Sequence, residues 1–298
     1  MSFILKLFIF SIFIIFAESN GLLTIIGNGQ TISSGDFLPA INSSGVFYGI
    51  YVTNTSNVYV CDYGGGKLRF YNNLTKIITI VAGGGPIFQD NVLPTATNMI
   101  PTDVFLDLQG NIYISDFENF RIRMINITTG LITTVVGNGI DNPTMLGDNG
   151  LAIDASIGMV QSIFIDKIGN LYLSDTSNNR VRKVSASTKI ITTIAGTGQG
   201  SYCGDGGLAT NACLNFPYGI YVDNSLNLYI ADYNNNLIRF VNSGTGIINT
   251  LAGSTIYNSL QVIYFDLFNI SGWNSSFRST ISQSNRYCIR FLWKCLFI

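Results

Sequence analysis

Four aspartates, Asp62, Asp116, Asp175 and Asp232, are each followed seven residues later by an arginine: Arg69, Arg123, Arg182 and Arg239. A carboxylate and a guanidinium at that spacing fall on neighbouring strands near one end of a sheet, where they can pair or bond turn backbone. Their role reads as structural, because a ligand site would not need to be regenerated in every unit. A second set, Asp36, Asp90, Asp148 and Asp205, sits in loops where calcium ligation with nearby carbonyls competes with turn-capping. Most of these loops hold no second acid, so turn-capping is the expectation. The chain has no histidine, which removes His-dependent nucleophile triads and general-base histidines. No paired-acid constellation replaces them. The expectation is a chain with no catalytic residues, no cofactor and no metal site.

Cys203 and Cys213 flank the loop from Gly204 to Asn211. In an oxidising compartment they can bridge, a constraint worth about 2 to 3 kcal/mol by loop closure. Cys61 stands where Ser115, Ser174 and Ala231 stand in the other units and reads as a small buried residue. Asn42, Asn54, Asn73 and Asn126 each open an Asn-x-Ser/Thr triplet, which suits passage through a glycosylating compartment.

The elements that position these residues repeat. The anchors Val60-Cys61-Asp62, Ile114-Ser115-Asp116, Leu173-Ser174-Asp175 and Ile230-Ala231-Asp232 are 54, 59 and 57 residues apart. Five residues before each anchoring Asp stands an Asn (Asn57, Asn111, Asn170, Asn227), and three before it a Tyr (Tyr59, Tyr113, Tyr172, Tyr229). Each unit resolves into four short alternating or β-branched runs split by Gly, Asn and Asp; in the fourth these are 218–222, 228–231, 237–241 and 247–251. The fold class is therefore all-β: a β-propeller of four-stranded antiparallel blades, four of them complete. With 47% hydrophobic and only 11% charged residues the chain can fill such cores. Its net charge of −1, with no basic cluster beyond Arg121 and Arg123, gives no reason to expect nucleic acid.

The blocks Pro217-Tyr218-Gly219-Ile220, Asn227 to Asp232 and Asn235-Asn236-Leu237-Ile238-Arg239 resemble NHL repeats. The linker from Ala195 to Gly198 and from Gly204 to Thr210 is similar to the longer repeats of secreted and teneurin-like proteins, and the likeness covers residues 22 to about 252. It implies a binding platform, with an extracellular protein or glycan as partner. Lyases built on this propeller type use histidine zinc ligands, which this chain cannot supply. The competing expectation is a calcium-dependent, lactonase-like hydrolase, which needs two or three acids converging on the channel.

Three expectations concern the chain's ends. Residues 1–19 read as a signal peptide, with Lys6 before the apolar run Leu7 to Ala17 and cleavage after Ser19; an uncleaved membrane anchor is the alternative. The chain is thus expected to be secreted, with blades over 20–253. Leu22 to Ile26 resembles the fourth strand of a blade but has no first three, so an orphan strand and an open or badly sealed arc are expected. The tail, 254–298, has lost every anchor and reads as out of frame from about Gly272: one nucleotide forward, its codons permit a normal repeat. Trp273-Asn274 and Trp293-Lys294 both become glycine at glycine positions of the repeat. Asn269, Asn274, Cys288 and Cys295 are accordingly expected to carry no function.

Overall fold

The computed structural model describes residues 14–18, 21–142, 144 and 146–255. The segment from about Gly272 expected to be out of frame and the expected cleavage point after Ser19 lie outside them.

Each repeat forms one antiparallel sheet whose strands follow in chain order. The first blade comprises β3 (Phe47–Val52), β4 (Val58–Asp62), β5 (Lys67–Tyr71) and β6 (Ile78–Gly83). The second comprises β7 (Pro101–Leu106), β8 (Ile112–Asp116), β9 (Arg121–Ile125) and β10 (Ile132–Val136). β11 (Val160–Ile165), β12 (Leu171–Asp175), β13 (Arg180–Val184) and β14 (Ile191–Ala195) make the third. The fourth is β15 (Pro217–Val222), β16 (Leu228–Asp232), β17 (Leu237–Val241) and β18 (Ile248–Gly253). Upstream, β1 (Ile14–Glu18) pairs antiparallel with β2 (Gly21–Ile26). The strand without blade-mates therefore gains a partner from the end of the segment read as a signal peptide. Its last residue, Ile26, packs on the first blade against Ala40, Phe47 and Ile78.

The first strands β3, β7, β11 and β15 neighbour one another in that order, and the apolar cores lie between blades. Leu68 and Ala82 of the first blade pack with Val104, Ile114 and Ile132 of the second. Val181 and Ala195 of the third pack with Ile220 and Ile230 of the fourth. Alternation along each strand produces this arrangement, since the second and third blades are covered by a neighbouring blade on both faces.

The repeated Asn and Tyr have mechanical reasons. Between first and second strands, Asp107, Asp166 and Asp223 accept backbone N–H bonds from the residues two and four further on, the latter being the repeated Asn. That Asn then uses its own Oδ1 to accept a backbone N–H from the hairpin between third and fourth strands: Asn57 from Asn73, Asn111 from Ile127, Asn170 from Ala186, Asn227 from Ser243. The Tyr172 and Tyr229 hydroxyls donate to the same turn aspartates, at 3.1 and 3.4 Å. One end of every blade is thus stitched across both hairpins.

Outer strands would be open edges, and the preceding linker covers them. The N–H groups of Phe37, Asn91, Asn149 and Gly206 donate to the carbonyls of Ile78, Ile132, Ile191 and Ile248 at 2.8 to 2.9 Å. Each donor has positive φ, from 61° to 79°, the reason Asn and Gly recur there.

Candidate functional site

The four repeated arginines lie in the third strands and are fully buried, each with 0% exposure. Arg69 and Arg239 bond Asp62 and Asp232 at 3.2 Å, whereas Arg123 and Arg182 stand 3.8 and 3.6 Å from Asp116 and Asp175. Each arginine also meets the linker aspartate of its own unit: Asp36 at 2.6 Å, Asp90 at 2.9 Å, Asp148 at 2.8 Å and Asp205 at 2.6 Å. A guanidinium between two carboxylates is what makes its burial tolerable. The linker aspartates were expected to cap turns; they instead tie the linker to the blade. Asp90 also accepts from Thr134, Asp148 from Thr193 and Asp205 from Thr250, all on outer strands. Sequence reasoning missed this pairing because the partners stand 33 or 34 residues apart.

The strand aspartates have a second task. Asp62, Asp116, Asp175 and Asp232 accept the N–H of Val46, Ile100, Gly158 and Asn215, just ahead of each first strand. Burial raises the pKa of all four, against the pull of the arginine and these N–H donors; Asp175 is pushed up to about 6. Every repeated charge is therefore engaged in holding a blade together.

Cys203 and Cys213 form a disulfide with their Cα atoms 4.8 Å apart. Their carbonyls accept from Arg239 Nη2 and Nη1. In the first blade Ser34 and Ser44 occupy the same places: they pair across the loop as the cysteines do, their hydroxyls are 2.7 Å apart, and their carbonyls accept from Arg69. Cys61 is buried, and the hydroxyls of Ser115 and Ser174 at its position bond the first strand of the next blade. Among the glycosylation triplets, Asn42 and Asn54 are exposed. Asn73 and Asn126 are half-buried in hairpins; Asn73 accepts from Lys76 Nζ, and Asn126 accepts the N–H groups of Thr128 and Thr129.

What differs from blade to blade is more informative. At the third residue of the first strand the blades carry Gly49, Asp103, Ser162 and Gly219. Asp103, 2% exposed, accepts from the Ser162 hydroxyl and the Ile163 N–H, both at 3.0 Å. It lies so close to the first blade that a β-carbon at Gly49 would come within 2.5 Å of it. It is the only acid within the four first strands. Calcium takes six to eight oxygen ligands, and one engaged carboxylate does not fit that need. No group of three or more His, Cys, Asp or Glu able to hold a metal occurs among the described residues.

A second variable place is the rim where second strands turn into third. Tyr48 and Tyr63 meet at 4.8 Å between ring centroids, Tyr63 and Phe117 at 6.4 Å, and Tyr218 stacks on Tyr233 at 4.2 Å. All five rings are half-buried. The Tyr63 hydroxyl donates to Glu118 Oε1 of the next blade at 3.0 Å. The third blade has Gln161 and Thr176 in these places, both buried. Nothing in the repeat pattern singled these residues out; their departure from it is the signal.

Four antiparallel four-stranded sheets in succession, with cores between them and linkers sealing their edges, define a β-propeller. The blades are similar in sequence to NHL repeats. A family model described as Teneurin NHL domain matches residues 195–266. The chain is 26% identical over 235 residues to NHL repeat-containing protein 2 of Homo sapiens, covering 75% of this chain and 31% of that protein. It is 29% identical over 222 residues to Teneurin-1 of Gallus gallus, covering 68% of this chain and 8% of that one. The chain thus spans less than a third of the length of either relative. Among solved structures, a gluconolactonase from Xanthomonas campestris superposes with a TM-score of 0.54 at 10% identity, over 82% of this chain and 70% of that one. That likeness is one of fold. No described helix is long and apolar enough to cross a membrane.

Proposed function

We propose that the chain is a secreted, non-catalytic propeller module that binds an extracellular protein or glycan through the aromatic rim of its first, second and fourth blades. The observation that carries this reading is a division of labour. The aspartates and arginines repeated in the strands are buried, and every repeated charge is committed to the scaffold, whereas the residues that vary are half-buried rings at the rim, on the turns and the adjoining first strands. The lactonase-like alternative asks for converging acids in the channel, and the first strands offer Asp103 alone, already engaged by Ser162 and Ile163.

The test uses the exported full chain on protein and glycan arrays beside a Tyr63→Ala/Phe117→Ala variant. Ligands retained by the parent and lost by the variant are expected. Calcium-dependent lactone turnover that disappears in Asp103→Asn would replace this reading with the hydrolase.

A further inference from the structure

We propose that the corner formed by Tyr63, Phe117 and Glu118 receives a cationic side chain, an arginine, of the partner protein. This rests on the rim being the binding surface and specifies what it recognises. Glu118 is exposed and takes part in no ion pair among the described residues. Its position is nonetheless fixed, since Oε1 accepts the Tyr63 hydroxyl across the boundary between first and second blades. The cations nearest in sequence are already used. Lys67 bonds Asp36 at 3.0 Å, and Arg121 donates to the carbonyls of Asn119 and Asn138. An oriented carboxylate beside aromatic rings, with no cation of its own, has the chemistry that recognises a positive group.

Ring geometry selects between a cation and a sugar. A pyranose stacks on a flat aromatic platform, but Tyr63 and Phe117 meet edge to face at 74° and form a corner. A planar guanidinium can lie against one ring while pairing with a carboxylate at its edge. On the first-blade side the turn after Tyr63 is Gly64-Gly65-Gly66, which puts no side chain of its own beside the corner. The local potential agrees: burial, and then the Glu118 carboxylate, raise the pKa of the Tyr63 hydroxyl. The other ring pair, Tyr218 on Tyr233, lies nearly parallel at 7° and is followed in the turn by Asn234, Asn235 and Asn236.

The probe is acetyl-Gly-Arg-Gly-amide, titrated into the full chain and followed by tyrosine fluorescence, with the citrulline analogue as its neutral isostere. The arginine peptide is expected to saturate and to weaken as salt is raised, and the citrulline peptide to bind at least tenfold more weakly. Glu118→Gln should lose the same factor with an unchanged melting temperature, and Tyr63→Phe, which keeps the ring but frees the carboxylate, should lose less. Equal binding of the two peptides, or no binding of either by folded protein, overturns the proposal. If array ligands are lost with Tyr63→Ala/Phe117→Ala yet kept with Glu118→Gln, the rim binds but not through a cation. If the rim variant loses nothing, the rim reading itself fails.

Discussion

Replacing Cys203 and Cys213 together by serine would rebuild in the fourth blade what the first blade already uses. Ser34 and Ser44 sit at the equivalent places with hydroxyls 2.7 Å apart, and both sites supply two carbonyls to a buried arginine. The substitution therefore changes the cross-link and little else. With a sequence separation of 10, opening the bridge returns about 3 kcal/mol of chain entropy to the unfolded state. A serine pair recovers about 1 kcal/mol as a hydrogen bond. The double serine variant should thus lose about 2 kcal/mol and the double alanine variant about 3 kcal/mol. Guanidinium unfolding without reductant, followed by circular dichroism, measures both, and reductant should bring the parent close to the alanine variant. The converse, Ser34→Cys/Ser44→Cys, should raise the stability of the first blade by a similar amount. If the double serine variant matches the parent without reductant, and reductant leaves the parent unchanged, the bridge closes nothing and the argument fails.

Arg239→Met strands Asp232, whose side chain is fully buried, and should cost about 3 to 5 kcal/mol. Asp205→Asn, at a partner with a 31% exposed side chain, should cost no more than about 1 kcal/mol; equal losses in thermal melts would contradict the division into buried and screened halves. Asp175 has a folded pKa of about 6 against an ordinary 3.8, so its neutral form is the one the fold prefers. Its contribution is full below about pH 4, is lost as pH rises toward 6, and is flat above, with a ceiling of about 3 kcal/mol. Urea unfolding of parent and Asp175→Asn from pH 4 to 7 should show that slope only in the parent; a slope of opposite sign refutes it. Exported protein should begin after Ser19 and carry sugar on Asn42 or Asn54, the exposed triplets. Peptide mapping that finds Met1 retained and every triplet bare would remove the secretory reading.

Much of the fold was legible because a propeller writes the same solution several times. Asp, Arg, Asn and Tyr at constant offsets mark one ion pair and two stitched hairpins, and repetition filters out chance. The linker aspartates were visible as residues but not as arginine partners, since the contact spans a loop and a whole first hairpin. Asp103 was invisible for a different reason: its partners Ser162 and Ile163 are 59 and 60 residues away, on another blade, and only the packing of first strands brings them together. The rim was harder still, because a single Tyr or Phe beside a turn carries no pattern until its neighbour across the blade boundary is known.

The linkers that seal the outer strands also set an order in time. Each blade is closed by chain that precedes it: Asp36 and Phe37 wait for Arg69 and Ile78, Asp205 and Gly206 for Arg239 and Ile248. A ribosome therefore releases every edge cover before the edge it must cover. As soon as its fourth strand emerges, a blade can form its outer bonds and bury its arginine without waiting for later sequence. The nascent protein can lengthen one finished blade at a time, with each newest blade presenting an uncovered face until the next one packs on it.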